Sequence, residues 1–147
     1  MGLESEARAL FEGHLNCAQS VLAPFANRLG LDRAIALKIA TPFGGGIGHT
    51  GQMCGAVSGA LMAIGLAHGT AVFDRAQKYV CYDLVSQFMA RFTAQHGGLT
   101  CPGLLGVDIS NPIELEQARK LDLFHTRCPN FVGDAVLIVA ELLGLEP

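Results

Sequence analysis

The sequence predicts an all-α protein: a single-domain helical bundle over residues 1–147, built around a central apolar helix at about 52–67. Three observations predict it. Apolar residues recur at helical spacing through most of the chain, and no run of four to eight residues alternates apolar and polar as a strand would. The stretch 53–67, MCGAVSGALMAIGLA, is apolar on every side, as a helix surrounded by other helices must be.

Taken in order, the first helix is expected at 5–12. In the second, 16–29, Val21, Leu22, Phe25 and Leu29 share one face. Asn16 is placed to cap it with Gln19 three residues on, and Gly30 stands past its end. A short helix from Asp32 to Ala40 stops before Pro42, because the residue before a proline disfavours helical backbone. After the central helix comes 75–95, with Val80, Leu84, Val85, Phe88 and Phe92 along one side and Lys78, Asp83, Gln87 and Arg91 opposite. Helices at 113–125 and 129–143 complete the set, and the longest loops are 41–51 and 96–112. The central helix carries small residues, Gly55, Ala56, Ser58, Gly59, Ala60 and Ala63 among them, on all sides. Six other short helices do not suffice to cover it, so the sequence predicts a homodimer closing over apolar helix surface.

Composition limits the function. At 50% apolar and 16% charged, the 147 residues can bury a real core and are far from a disordered composition. The net charge is −3 and the ten basic residues are scattered, which excludes the basic stripe of a nucleic-acid binder. The apolar run at 53–67 falls short of the roughly 20 residues a membrane span needs. MGLESEARALFEG has acidic residues where a secretion signal has basic ones, and Glu6 stands where a myristoylation signal needs Ser or Thr. A cytoplasmic location is the expectation. There, five cysteines read as thiols, metal ligands or redox pairs rather than structural disulfides.

Four of the five map to helix starts. Cys17 follows Asn16, Cys54 lies in the first turn of the central helix, and Cys101 and Cys128 each precede a proline, which suggests that each is an N-cap. Free N–H groups and the helix dipole at such positions favour a thiolate, the form that binds metals and attacks disulfides. Their spacings of 37, 47 and 27 residues contain no C-x-x-C, so spacing alone is a weak metal signal, and buried cysteine as a small hydrophobe is the plain alternative. Cys81 is different: mid-helix beside Leu84, Val85 and Phe88, it reads as an inert core residue.

Cys54-Gly55-Ala56-Val57-Ser58-Gly59 is a C-G-A-x-x-G. With Asn16-Cys17-Ala18-Gln19 before it, the run Phe43-Gly44-Gly45-Gly46, then Gly98-Leu99-Thr100-Cys101 with Leu104-Leu105-Gly106, and Cys128 opening the last helix, the chain resembles the redox-active proteins named for the pattern C-GCAxxG-C-C. Gly55 stands where the family name has Ala, and Pro102 follows the third cysteine where a charged residue is more usual. The resemblance implies a helical fold and a redox or iron–sulfur role for Cys17, Cys54, Cys101 and Cys128. It does not supply a substrate.

Gly46-Ile47-Gly48-His49-Thr50-Gly51 is formally G-x-G-x-x-G, but a dinucleotide loop needs a strand before it, and none is predicted. Gly44, Gly45 and Gly46, with Gly55, are better read as permitting positive φ and close backbone approach beside the cysteines, with exposed N–H groups able to donate to thiolate or sulfide sulfur. His14, His49 and His125 stand near cysteines in sequence and read first as solvated or capping residues. Two classes remain. One is a redox protein, an oxidoreductase or electron carrier working with a redox partner protein through an iron–sulfur cluster or thiol–disulfide exchange. The other is a non-catalytic structural module in which the four cysteines close around zinc. A nucleotide-dependent enzyme rests on the glycine loop alone.

Overall fold

The computed structural model describes residues 2–147, and among these the regular structure is helical. The elements are α1 (Leu3–Glu12), α2 (Cys17–Arg28), α3 (Arg33–Ala40), a 3-10 turn (Thr41–Phe43), the glycine turn α4 (Gly44–Ile47), α5 (Gly55–His68), α6 (Arg75–His96), α7 (Cys101–Leu105), α8 (Pro112–Lys120), α9 (Leu123–Thr126) and α10 (Cys128–Leu143). The all-α expectation holds. Boundaries move by a few residues: the central helix opens at Gly55 rather than 52. The helix expected over 113–125 divides at Asp122, whose left-handed backbone (φ 57°) cannot continue a helix. The loop expected over 96–112 contains α7.

Local chemistry sets several of these ends. Asn16 and Gln19 form the full capping box: the Asn16 side chain accepts from the Gln19 amide at 2.9 Å, and the Gln19 side chain accepts from the Asn16 amide at 3.0 Å. Gln19 also donates to the Leu37 carbonyl and the Thr41 hydroxyl, tying the start of α2 to the end of α3. Asp74 caps α6, and Gly97 ends it in the left-handed conformation.

One contiguous core draws on α1, α2, α3, α5, α6 and α10, with Phe25, Phe88, Phe92 and Ile64 among its largest fully buried side chains. Helix α5 lies against α2, α10 and α6, and α10 also backs onto α1. The approach of α5 to α2 is unusually close. A Cβ on Gly59 would stand 2.7 Å from the Ala18 carbonyl oxygen, and one on Gly55 would stand 3.0 Å from the Ala18 nitrogen. The two glycines of C-G-A-x-x-G therefore form one face, a helical turn apart, on which the backbone of α2 rests.

The expectation that α5 is buried all round holds for its first half only. Residues 55–60, with Ala63 and Ile64, are buried, whereas Leu61, Met62, Gly65 and Leu66 are partly open. Cys81 is likewise half-buried rather than buried: it packs against the edge of the core beside Leu84 and Val85, on the less covered half of α6. No helix of the described residues is long and apolar enough to cross a membrane.

Candidate functional site

Cys17, Cys54, Cys101 and Cys128 line a single cavity of about 270 Å³, and Cys81 does not. All five are free thiols. Three long helices present their first turns to this cavity, because Cys17 and Cys128 are the first residues of α2 and α10 and Cys54 is the N-cap of α5. Two N-cap expectations are corrected. Cys101 and Cys128 occupy the first helical position with proline second. Thr100 caps α7 through its hydroxyl, and Arg127 precedes α10.

Within the cavity the thiols are paired. Cys101 is the strongest influence on the Cys54 thiol, and Cys128 on the Cys17 thiol. A small piece of extended backbone makes the first pair. Met53 and Thr100 form an isolated antiparallel bridge, in which the Cys54 amide donates to the Leu99 carbonyl at 2.7 Å and the Cys101 amide to the Gln52 carbonyl at 3.0 Å. This is the one β-type pairing in the described residues, where the sequence predicted none. The second pair joins the starts of α2 and α10, which are in contact, while the α2–α5 approach sets the Cys17 Cβ 3.1 Å from where a Gly55 Cβ would be.

The pairing divides the thiols electrostatically. Cys54 is held below the ordinary thiol range, first by the neighbouring Cys101 thiol and then by the Ala56 and Val57 amides at the start of α5, which together outweigh its burial. Cys101 is pushed far up, first by the neighbouring Cys54 thiol and then by burial. The pair thus yields its first proton readily and its second with difficulty. Cys17 is also raised, chiefly by the neighbouring Cys128 thiol and then by burial, with smaller repulsion from the other three sulfurs. Part of Cys17 remains open to solvent, and it lines the cavity. A general lowering of helix-start thiols is therefore overturned for Cys17 and Cys101, where the neighbouring thiol and desolvation outweigh the helix terminus.

The glycines frame the site by fitting closely against it. A Cβ on Gly46 would meet the Cys101 sulfur at 3.0 Å and the Gln52 amide at 2.7 Å, and one on Gly44 would meet the Asn16 side chain. Gly45 and Gly55 line the cavity. Gly45, Gly46, Ile47, Gly48, His49 and Gly51 all have positive φ, a strained path for Ile47 and His49. The amides of residues 48, 49, 51 and 52 donate back to carbonyls of residues 42–46. The 3-10 turn and α3 precede this loop, not a strand, so the dinucleotide arrangement is absent.

Of the histidines, His49 borders the cavity. His125 is bonded to Asp122 on the surface, and His14 lies in the α1–α2 turn. The sequence reading missed the rest of the wall: Phe11, Leu104, Ile109, Phe124 and Phe131, with Arg119 of α8 as the only Lys or Arg. Nothing in the sequence marked Arg119, whose neighbours read as an ordinary helix surface. Among the described residues, no three Cys, His, Asp or Glu side chains are arranged to hold one metal ion.

A family described as "Putative redox-active protein (C_GCAxxG_C_C)" matches residues 15–142, from the α2 cap to the end of α10. The chain belongs to this family. No curated protein and no solved structure matched in the same comparisons. Cys17, Cys54, Cys101 and Cys128 all lie in the matched range and share the cavity, and Gly55 and Gly59, also within it, let α5 meet α2.

Proposed function

We propose that this protein is a thiol–disulfide redox protein working through two cysteine pairs, Cys54 with Cys101 and Cys17 with Cys128. The observation that carries the reading is that all four thiols line one cavity, with Cys54 and Cys101 brought to the same place by the Met53–Thr100 bridge and shifted in opposite directions. In the first pair Cys54, whose ionised form is favoured, is the attacking sulfur, and Cys101 is the resolving thiol. Oxidation joins the two sulfurs and passes two electrons and two protons to an acceptor. A reducing compartment such as the cytoplasm would return the pair to thiols.

A second reading has one observation in its favour: all four thiols border the same cavity, so an iron–sulfur cluster, wider than a single ion, could take them as its ligands. The arrangement gives less support to a four-cysteine zinc module, because the sulfurs are grouped in twos and no three converge on one ion. Anaerobic purification with iron, sulfide and zinc analysis separates these readings. Colourless, metal-poor protein is expected. Mild oxidation with diamide should then give the Cys54–Cys101 and Cys17–Cys128 disulfides by peptide mapping. Brown protein with stoichiometric iron and sulfide would replace the first reading by the second, and other pairings would sink it.

We also propose a homodimer. Helices α5 and α6 pack together, and both leave apolar side chains uncovered: Leu61, Met62 and Leu66 in part, and Tyr79, Val80 and Tyr82 more fully. Just before α6, Val72 is 73% and Phe73 92% exposed. A second copy placed on this face across a two-fold axis would bury side chains that are costly to leave in water, and a stable interface needs at least about 1,000 Å². Light scattering at micromolar concentration should give twice the monomer mass, and Phe73→Asp with Val80→Asp should give the monomer. A wild-type monomer would refute the dimer and leave the thiol site intact.

A further inference from the structure

The reactive sulfurs are recessed. Cys54 is 3%, Cys128 6% and Cys101 8% exposed, and they are reached through a cavity rather than from an open surface. A disulfide on the surface of a folded protein cannot bring its sulfur atoms into line with a sulfur at the base of such a pocket. At about 270 Å³ the cavity lies at the small end of ligand sites. Its wall is mainly apolar, from Phe11, Leu104, Ile109, Phe124 and Phe131. Apart from the cysteines, its one charged side chain is the Arg119 guanidinium, no carboxylate lines it, and the first turns of α2, α5 and α10 face it. Arg119 is only loosely engaged, its nearest ion-pair contact being Glu116 at 3.9 Å, so the guanidinium is available to another anion.

Resting on the thiol–disulfide reading above, we propose that the cavity binds a small organic disulfide bearing carboxylate, with Arg119 anchoring the carboxylate and the apolar wall holding the carbon chain over Cys54. The exchange is balanced. The Cys54 sulfur attacks one sulfur of the ligand, a mixed disulfide forms, and the other half leaves as a thiolate that takes the Cys101 proton. The Cys101 sulfur then attacks Cys54, forming the Cys54–Cys101 disulfide and releasing the second half as thiolate. One molecule of disulfide is reduced to two of thiol and one protein dithiol is oxidised. A redox partner protein, in this arrangement, meets the pocket only through such a diffusible carrier.

The test compares three oxidants on reduced full-length protein: 3,3′-dithiodipropionate, a dianion; cystamine, a dication of similar length; and oxidised thioredoxin, a protein disulfide. Each rate of Cys54–Cys101 formation is divided by the rate at which the same oxidant reacts with a free small thiol. The dianion should exceed the dication by about tenfold or more, a difference of about 1.4 kcal/mol, and the protein disulfide should be slowest. Arg119→Gln, on an exposed part of α8, should bring the two small oxidants to within about threefold by slowing the dianion alone. Equal rates for the two small oxidants in wild type, or an unchanged preference in Arg119→Gln, would overturn the anion site. A fastest reaction with thioredoxin would overturn the small-ligand assignment in favour of direct protein exchange. Diamide distinguishes the two proposals: if it too fails to form Cys54–Cys101, the thiol–disulfide reading itself has failed.

Discussion

Replacing Gly59 by leucine is expected to destabilise the protein by about 3 kcal/mol or more, at the upper end for forcing volume into a packed core. The reason is positional. A Cβ there would already lie 2.7 Å from the Ala18 carbonyl oxygen and 3.2 Å from the Ala18 Cα, both backbone atoms that cannot swing aside. The only relief is for α5 to withdraw from α2, which also draws Cys54 and Gly55 away from Cys17. Thermal unfolding of reduced protein should show the loss as a drop of roughly 10 °C for a chain of this size. Gly65 provides the control on the same helix, because nothing lies within 4 Å of a Cβ added there. Gly65→Ala should be neutral or stabilise by up to about 1 kcal/mol through helix propensity. If both variants lost stability equally, the close α2–α5 contact would not be the cause.

Alkylation with iodoacetamide near pH 7 is expected to label Cys54 first, about tenfold or more faster than Cys17 or Cys101. The sign follows from the direction of each shift. A thiol held below its usual range has a larger thiolate fraction near neutral pH than an ordinary one, and a raised one stays protonated and unreactive until well into alkali. The rate at Cys54 should therefore level off below the ordinary thiol midpoint of about 8.5, while Cys101 shows no plateau in that range. Cys54→Ser should abolish the fast phase. Cys101→Ala should move the Cys54 midpoint upward by removing the neighbouring thiol that favours its charge. Half-buried Cys81 is the internal reference. Fastest labelling at Cys81 would mean that the cavity thiols are not activated, and the division of roles would fall.

What could be read from the sequence was what neighbouring residues decide. The start of α2 is written in Asn16 and Gln19, three apart, and the limits of α6 in Asp74 and Gly97. The all-round apolarity of 53–67 correctly placed α5 at the centre, and four cysteines at helix starts did come together. What could not be read depends on distant contacts. Pro102 and Gly103 disguised α7 as loop, although Thr100 caps it. The partnership of Cys54 with Cys101 needs the Met53–Thr100 bridge, which joins two single residues and leaves no alternating pattern. The opposed behaviour of Cys54 and Cys101 depends on the influence of each thiol on the other, and helix position alone assigned both the same shift. The incomplete cover of α5 was anticipated as a count of helices, but not as a loss confined to its second half.

The pairing of the helix starts has a consequence for how the chain is made. Cys54–Cys101 lies wholly inside the interval from Cys17 to Cys128, so the two pairs are nested, not sequential. During N-to-C synthesis Cys17 and Cys54 both emerge long before either partner, and the outer pair is completed only when α10 arrives. Until residue 101 is made, Cys17 and Cys54 can meet only each other and Cys81, and a bond among these three would be a wrong one. A chain that stops before α10 lacks half of the outer pair and the Phe131 wall of the cavity. The four-thiol cavity is thus complete only once α10 has been made, and a chain truncated before it has thiols but not the whole site.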